Sequence, residues 1–116
     1  MKISEKQIEE AILDYLQRSG IFCWKNPTGA TKHVDKYGRE RWMRYGKKGS
    51  SDIIGLLPGG RFLAIEVKSK SGILSPEQEE FLQQVNEKGG VGIVARSVDE
   101  VIEDFRALDI ERQLTI

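Results

Sequence analysis

At 116 residues, 39% hydrophobic and 31% charged with a formal net charge of zero, the chain has the length of one domain around one core. No apolar run approaches the roughly 20 residues of a membrane-spanning helix, and Met1-Lys2-Ile3-Ser4-Glu5 lacks the apolar stretch of a secretory signal. Cys23 and His33 are each alone of their kind, which leaves no internal disulfide and no zinc site of sulfur and imidazole, so a reducing, cytoplasmic setting is expected.

In chain order, Ser4 to about Ser19 reads as a helix. Ile8, Ala11, Ile12, Tyr15 and Leu16 follow the helical apolar spacing, Ser4-x-x-Gln7 can form a capping box, and Gly20 stops the run. Ile21 to Trp24 is a short strand, broken by Asn26-Pro27-Thr28-Gly29. The next segment, to Gly49, reads as a hairpin turning at Gly38. Asp52 to Leu57 and Arg61 to Lys68 are two strands joined through Pro58-Gly59-Gly60, where glycine supplies positive φ without steric cost. Ser75-Pro76-Glu77-Gln78 opens a second helix, with Phe81, Leu82 and Val85 as its buried stripe and Gly89-Gly90 as its stop. Val91 to Ala95 is the last strand, and Val98, Val101, Ile102 and Phe105 mark a third helix ending near Leu108. This order predicts an α/β fold with a mixed sheet covered by helices on both faces.

Charge is unevenly placed along this order. Between Trp24 and Gly49 stand eight basic residues, Lys25, Lys32, Lys36, Arg39, Arg41, Arg44, Lys47 and Lys48, against only Asp35 and Glu40. A basic block on a neutral chain is the footprint of a phosphate-binding surface; a solvated loop with surplus lysine is the bland reading. Interleaved Tyr37, Trp42 and Tyr45 could stack on unpaired bases, anchor a dimer together with Met43, or fill core. Arg41, Arg44, Lys47 and Lys48 are the expected phosphate contacts, with Lys25 beside them.

Asp52 and the strand Ile65-Glu66-Val67-Lys68 carry the chemistry. Alternation puts Glu66 and Lys68 on one side of the strand, and the turn at Pro58-Gly59-Gly60 returns Asp52 beside Glu66. Two carboxylates and an ammonium at the end of an apolar strand ask for a cause, because charge is costly to remove from water without a partner. Hard oxygen ligands of this kind suit Mg²⁺ or Mn²⁺ and phosphodiester hydrolysis, with Lys68 serving the attacking water. Taken alone, Glu66 and Lys68 could equally be an ion pair on an edge strand.

The ordered combination of Gly49-Ser50-Ser51-Asp52-Ile53-Ile54-Gly55, Pro58-Gly59-Gly60-Arg61-Phe62, Ile65-Glu66-Val67-Lys68 and Gly72-x-Leu74-Ser75-Pro76-Glu77-Gln78 resembles the virus-type replication-repair nuclease (VRR-NUC) domain of the PD-(D/E)xK nuclease superfamily, in particular its small stand-alone phage members. The resemblance runs over nearly the whole chain, with residues 25–49 as a basic hairpin-like insertion. It implies a metal-dependent DNA endonuclease acting as a homodimer, selective for Holliday junctions or other branched DNA in phage or prophage replication, recombination or repair.

On that resemblance Asp52, Glu66 and the Val67 carbonyl hold the metal, Glu9 completes the acidic cluster as a further ligand, and Lys68 serves the attacking water. Gln78 matches a glutamine typical of the following helix, although as the third residue of a capping box it also has a purely structural explanation. Glu9 is the best match to the family's first-helix acid, with Glu5 as the alternative; Glu10 points away from the stripe that both of these flank. Ser51 departs from the proline that usually precedes the aspartate. The competing readings are a non-catalytic DNA-binding or assembly protein that retains the fold, and a nuclease acting on RNA.

Overall fold

The computed structural model describes residues 2–114. Helix α1 spans Glu5–Arg18, and its capping box forms as expected: Ser4 Oγ accepts from the Gln7 N–H at 3.1 Å, and Gln7 Oε1 accepts from the Ser4 N–H at 2.9 Å. Strands β1 (Phe22–Lys25), β2 (Gly29–Val34), β3 (Glu40–Tyr45), β4 (Ile53–Leu57) and β5 (Arg61–Val67) follow, then helix α2 (Pro76–Glu87), strand β6 (Val91–Ala95) and helix α3 (Val98–Ala107). No helix among the described residues is long and apolar enough to cross a membrane.

Four strands make one mixed sheet in the order β1-β4-β5-β6, antiparallel except for the parallel β5–β6 pair. Period-2 alternation sorts β5 into two sets: Leu63, Ile65 and Val67 join the core formed with Ile8, Ile12 and Leu16 of α1 and Val101 and Phe105 of α3. Ala64 and Glu66 point to the opposite face, where α2 packs across β5 and β6. Helices therefore lie on both faces, as the element order predicts, but the cover is uneven. One twelve-residue helix spans only two strands, so on its face the β1–β4 half lies open and Phe22 and Leu56 are exposed.

Strands β2 and β3 form a second, two-stranded sheet, with Val34 opposite Glu40 and Gly29 opposite Tyr45. Its turn is closed by Asp35, whose Oδ1 accepts from the N–H groups of Tyr37 (2.8 Å) and Arg39 (2.9 Å), while Gly38 takes a φ of 78°. The ribbon stands away from the body: the radius of gyration is 16.1 Å, against about 13 Å for a compact chain of this length. Trp42, at 74% exposure, Tyr37, Met43 and Tyr45 are all on the surface, which removes the reading of these side chains as core.

Candidate active site

Antiparallel pairing of β4 with β5 sets Ile53 opposite Ile65, so the residue before β4, Asp52, comes level with Glu66. The Val67 N–H donates to Asp52 Oδ2 at 2.8 Å, fixing that carboxylate against the end of β5. Glu66 is only 2% exposed. Its Oε1 accepts from Gln78 Nε2 at 2.9 Å and lies 3.7 Å from Lys68 Nζ, whereas its Oε2 is buried without a hydrogen-bond partner.

Burial pushes the Glu66 carboxyl up to about 8; the neighbouring Asp52 carboxylate adds to the rise, and Lys68 opposes it. Burial and then the Asp52 charge also raise Glu9, against the pull of Lys25. The charge of Glu5 acts weakly on both Glu9 and Glu66. Among the described residues, no three Asp, Glu, His or Cys side chains gather closely enough to cage a metal by themselves, so the expected three-carboxylate cluster of Asp52, Glu66 and Glu9 is not assembled: Glu9 comes from a separate element, α1, and does not join the other two. An orphaned buried carboxylate oxygen beside a second carboxylate fits a hard divalent cation, and Mg²⁺ in particular is held by one or two carboxylates while keeping several waters.

Gln78 makes two contacts at once. Its Oε1 accepts from the Ser75 N–H at 2.9 Å to cap α2, and its Nε2 donates to Glu66. The cap locks the rotamer that reaches the carboxylate.

The loop bearing Asp52 is tied down by a residue the sequence reading passed over as a strand breaker. Asn26 Nδ2 donates to Ser50 Oγ at 2.8 Å and to the Ser51 carbonyl at 3.0 Å, and the Asn26 N–H donates to the Asp52 carbonyl at 2.7 Å. Its side-chain partners lie 24 and 25 residues away, beyond any local spacing rule. Gly49 contributes by close approach: its φ is +82°, and an added Cβ would come within 2.6 Å of the Glu77 carbonyl oxygen at the start of α2. Ser51, which immediately precedes Asp52, is fully buried with its hydroxyl unpartnered.

The basic residues are distributed around this site and along the ribbon. Lys25 pairs with Glu10 at 3.8 Å and Lys48 with Glu77 at 3.3 Å, both exposed pairs of small energetic weight. Arg41, Arg44 and Lys47 make no ion pair among the described residues. Arg41 lies opposite His33 and Arg44 opposite Ala30, so alternation sends the two guanidinium groups to opposite faces of the ribbon.

Two outcomes follow. Because the folded-state carboxyl of Glu66 titrates near 8 instead of 4.5, its contribution to stability is complete below pH 4.5 and is lost as pH rises through about 8. Thermal unfolding of metal-free protein should show that decline, and Glu66→Gln should flatten it; an identical decline in the variant would assign it elsewhere. Asn26→Ala, which strips two buried acceptors of their donor, should cost about 1–3 kcal/mol in urea unfolding and weaken Mn²⁺ binding measured by calorimetry. Unchanged Mn²⁺ affinity would separate Asn26 from the metal site.

The VRR-NUC domain model matches residues 3–99 of this chain. No curated protein and no solved structure gives a match. The matched span runs from the capping segment of α1 into α3 and includes the whole sheet, the ribbon, Asp52, Glu66, Lys68 and Gln78. Membership over such a span carries a nuclease-type, DNA-processing function: the chain belongs to the VRR-NUC family.

Proposed function

We propose that the protein is an Mg²⁺- or Mn²⁺-dependent DNA endonuclease that acts as a homodimer on branched DNA, four-way junctions foremost, in phage or prophage replication, recombination or repair. The observation that carries the chemistry is the buried, unpartnered Oε2 of Glu66 next to Asp52. Binding nucleic acid gives no reason to bear that cost, whereas holding a cation does.

Asp52, Glu66 and the Val67 carbonyl would hold the cation, which when bound polarises the scissile phosphate and lowers the pKa of water. The chain's own groups prepare the rest. Gln78 fixes Glu66 from α2, the Val67 N–H fixes Asp52, and Glu9 adds negative charge from α1. Lys68, largely buried beside Glu66, orients the attacking water and stabilises charge developing on the phosphate. In-line attack forms the new P–O bond as the bond to the 3′-oxygen breaks, leaving a 5′-phosphate and a 3′-hydroxyl.

The ribbon supplies the DNA grip. A surface meant to lie flat on a backbone would carry its cations on one face, but Arg41 and Arg44 occupy opposite faces and both faces are exposed. That arrangement suits a two-stranded ribbon set into a groove about 12 Å wide, where each face meets a phosphate wall. Lys47, Lys48 and Lys25, at the roots of the ribbon beside Asp52, would hold the backbone nearer the cut.

Labelled four-way junction, 5′-flap, duplex and single-stranded DNA should be cut only with Mg²⁺ or Mn²⁺, and best when branched. Lys68→Ala should slow cleavage by about 100-fold or more and Glu66→Ala should abolish it, both with the fold retained. Cleavage by Glu66→Ala at the wild-type rate would overturn the active-site assignment. Arg41→Ala and Arg44→Ala should each weaken DNA binding and each lower the salt slope by about 1. A loss confined to one of the two would mean that the ribbon lies flat.

A further inference from the structure

The half of the sheet that α2 leaves bare is lined by large apolar side chains in register. Phe22 pairs with Leu56 and Leu56 with Phe62, forming one row across three strands, and Trp24 with Ile54 forms the next row on the same face. Phe22 is 68% exposed, Trp24 45%, Leu56 41% and Phe62 40%, and the Phe22 and Trp24 rings pack on each other with centroids 5.1 Å apart. By those fractions the four side chains leave roughly 350 Å² of apolar surface in water, in the range at which a patch on a monomer is often functional.

Phe62 also walls an open hollow of about 530 Å³ lined by Arg61, Gln84, Val85 and Lys88. The Arg61 guanidinium is fixed at that margin by donating to the Gly89 carbonyl at 2.8 Å. One patch therefore carries both a projecting ring, Phe22, and a recess, two strands or roughly 10 Å apart.

We propose that this face is the interface with a second copy of the chain, with Phe22 of each copy seated in the hollow beside Phe62 of the other. A two-fold interface must be complementary to itself, and a projection with a recess on one patch meets that requirement reciprocally. Charge points the same way. The apolar rows hold no ionisable group, so two copies bring no charge into the centre of the contact, whereas the ribbon, rich in cations, repels its own copy and is left for DNA. The buried rings form the apolar centre of an interface, with Arg61, Lys88 and Gln84 as its polar rim. Phe62 and Leu56 each lie four residues along their strands from Glu66 and Asp52, or about 13 Å, so the pairing sets two catalytic centres close to one shared surface.

This inference rests on the homodimeric nuclease reading, and its test does not depend on cleavage. Sedimentation velocity without DNA or metal should give twice the chain mass for wild type, and Phe22→Asp should be a folded monomer by circular dichroism, with association weakened by about 30-fold or more. Mixing Phe22→Cys with Gln84→Cys protein under oxidation should yield a disulfide-linked pair of the two variants, since Cys23 is buried. In a Trp42→Phe background Trp24 is the only tryptophan, and its emission should shift to the red on dilution. A wild type that is monomeric throughout the micromolar range, or a dimer untouched by Phe22→Asp, would overturn the interface. A dimer that assembles through this face and cuts nothing would sink the nuclease reading alone.

Discussion

A carboxylate shut away from water beside a second carboxylate is the constraint around which the rest of this molecule is arranged. Glu66 reaches its place because the alternation that sends Ile65 and Val67 into the core leaves it no other direction. Once there, one of its oxygens is satisfied by Gln78 and Lys68, and the other has nothing. Without a cation the group gains by keeping its proton, hence the rise toward 8. The fold thus favours the protonated carboxyl, because Lys68 at 3.7 Å only partly offsets burial and the Asp52 charge.

Holding such a site open takes supports from four directions. The end of β5 pins Asp52 through a backbone N–H, α2 presents Gln78 through its own cap, and the α2 N-terminus meets the loop at Gly49. The fourth support is Asn26, which joins the outgoing root of the ribbon to the strand that carries Asp52. Ribbon and Asp52 loop are consequently one mechanical unit at their base, although the ribbon itself stands free. Gly49 lets that loop approach the first turn of α2 at a distance no side chain would permit.

The asymmetry of the sheet's cover has the same economy. Helices α1 and α3 close one face, and α2, placed to deliver Gln78, covers only β5 and β6 on the other. The uncovered strands keep Phe22, Trp24 and Leu56 at the surface, a cost in water that a second subunit can remove.

Much of this was legible in the residues. Capping boxes, glycine stops, period-2 strands and the pairing of β4 with β5 through Pro58-Gly59-Gly60 are local rules, and outside the ribbon, whose strand limits the sequence left open, the α-helices and strands begin and end within a residue or two of their expected limits. So was the meeting of Asp52 with Glu66, because a hairpin fixes register from its turn. The roles of Asn26 and Gly49, the orphaned oxygen of Glu66, the opposition of Arg41 and Arg44 across the ribbon, and the bare half of the sheet were not. Each depends on how far a helix reaches across strands, or on partners tens of residues apart in the chain. Sequence by itself determined the elements, the motif and the family, since these follow from local stereochemistry and short spacing. Only the tertiary structure decided which polar atoms were left without partners and which apolar side chains without cover, because burial is a property of packing between elements.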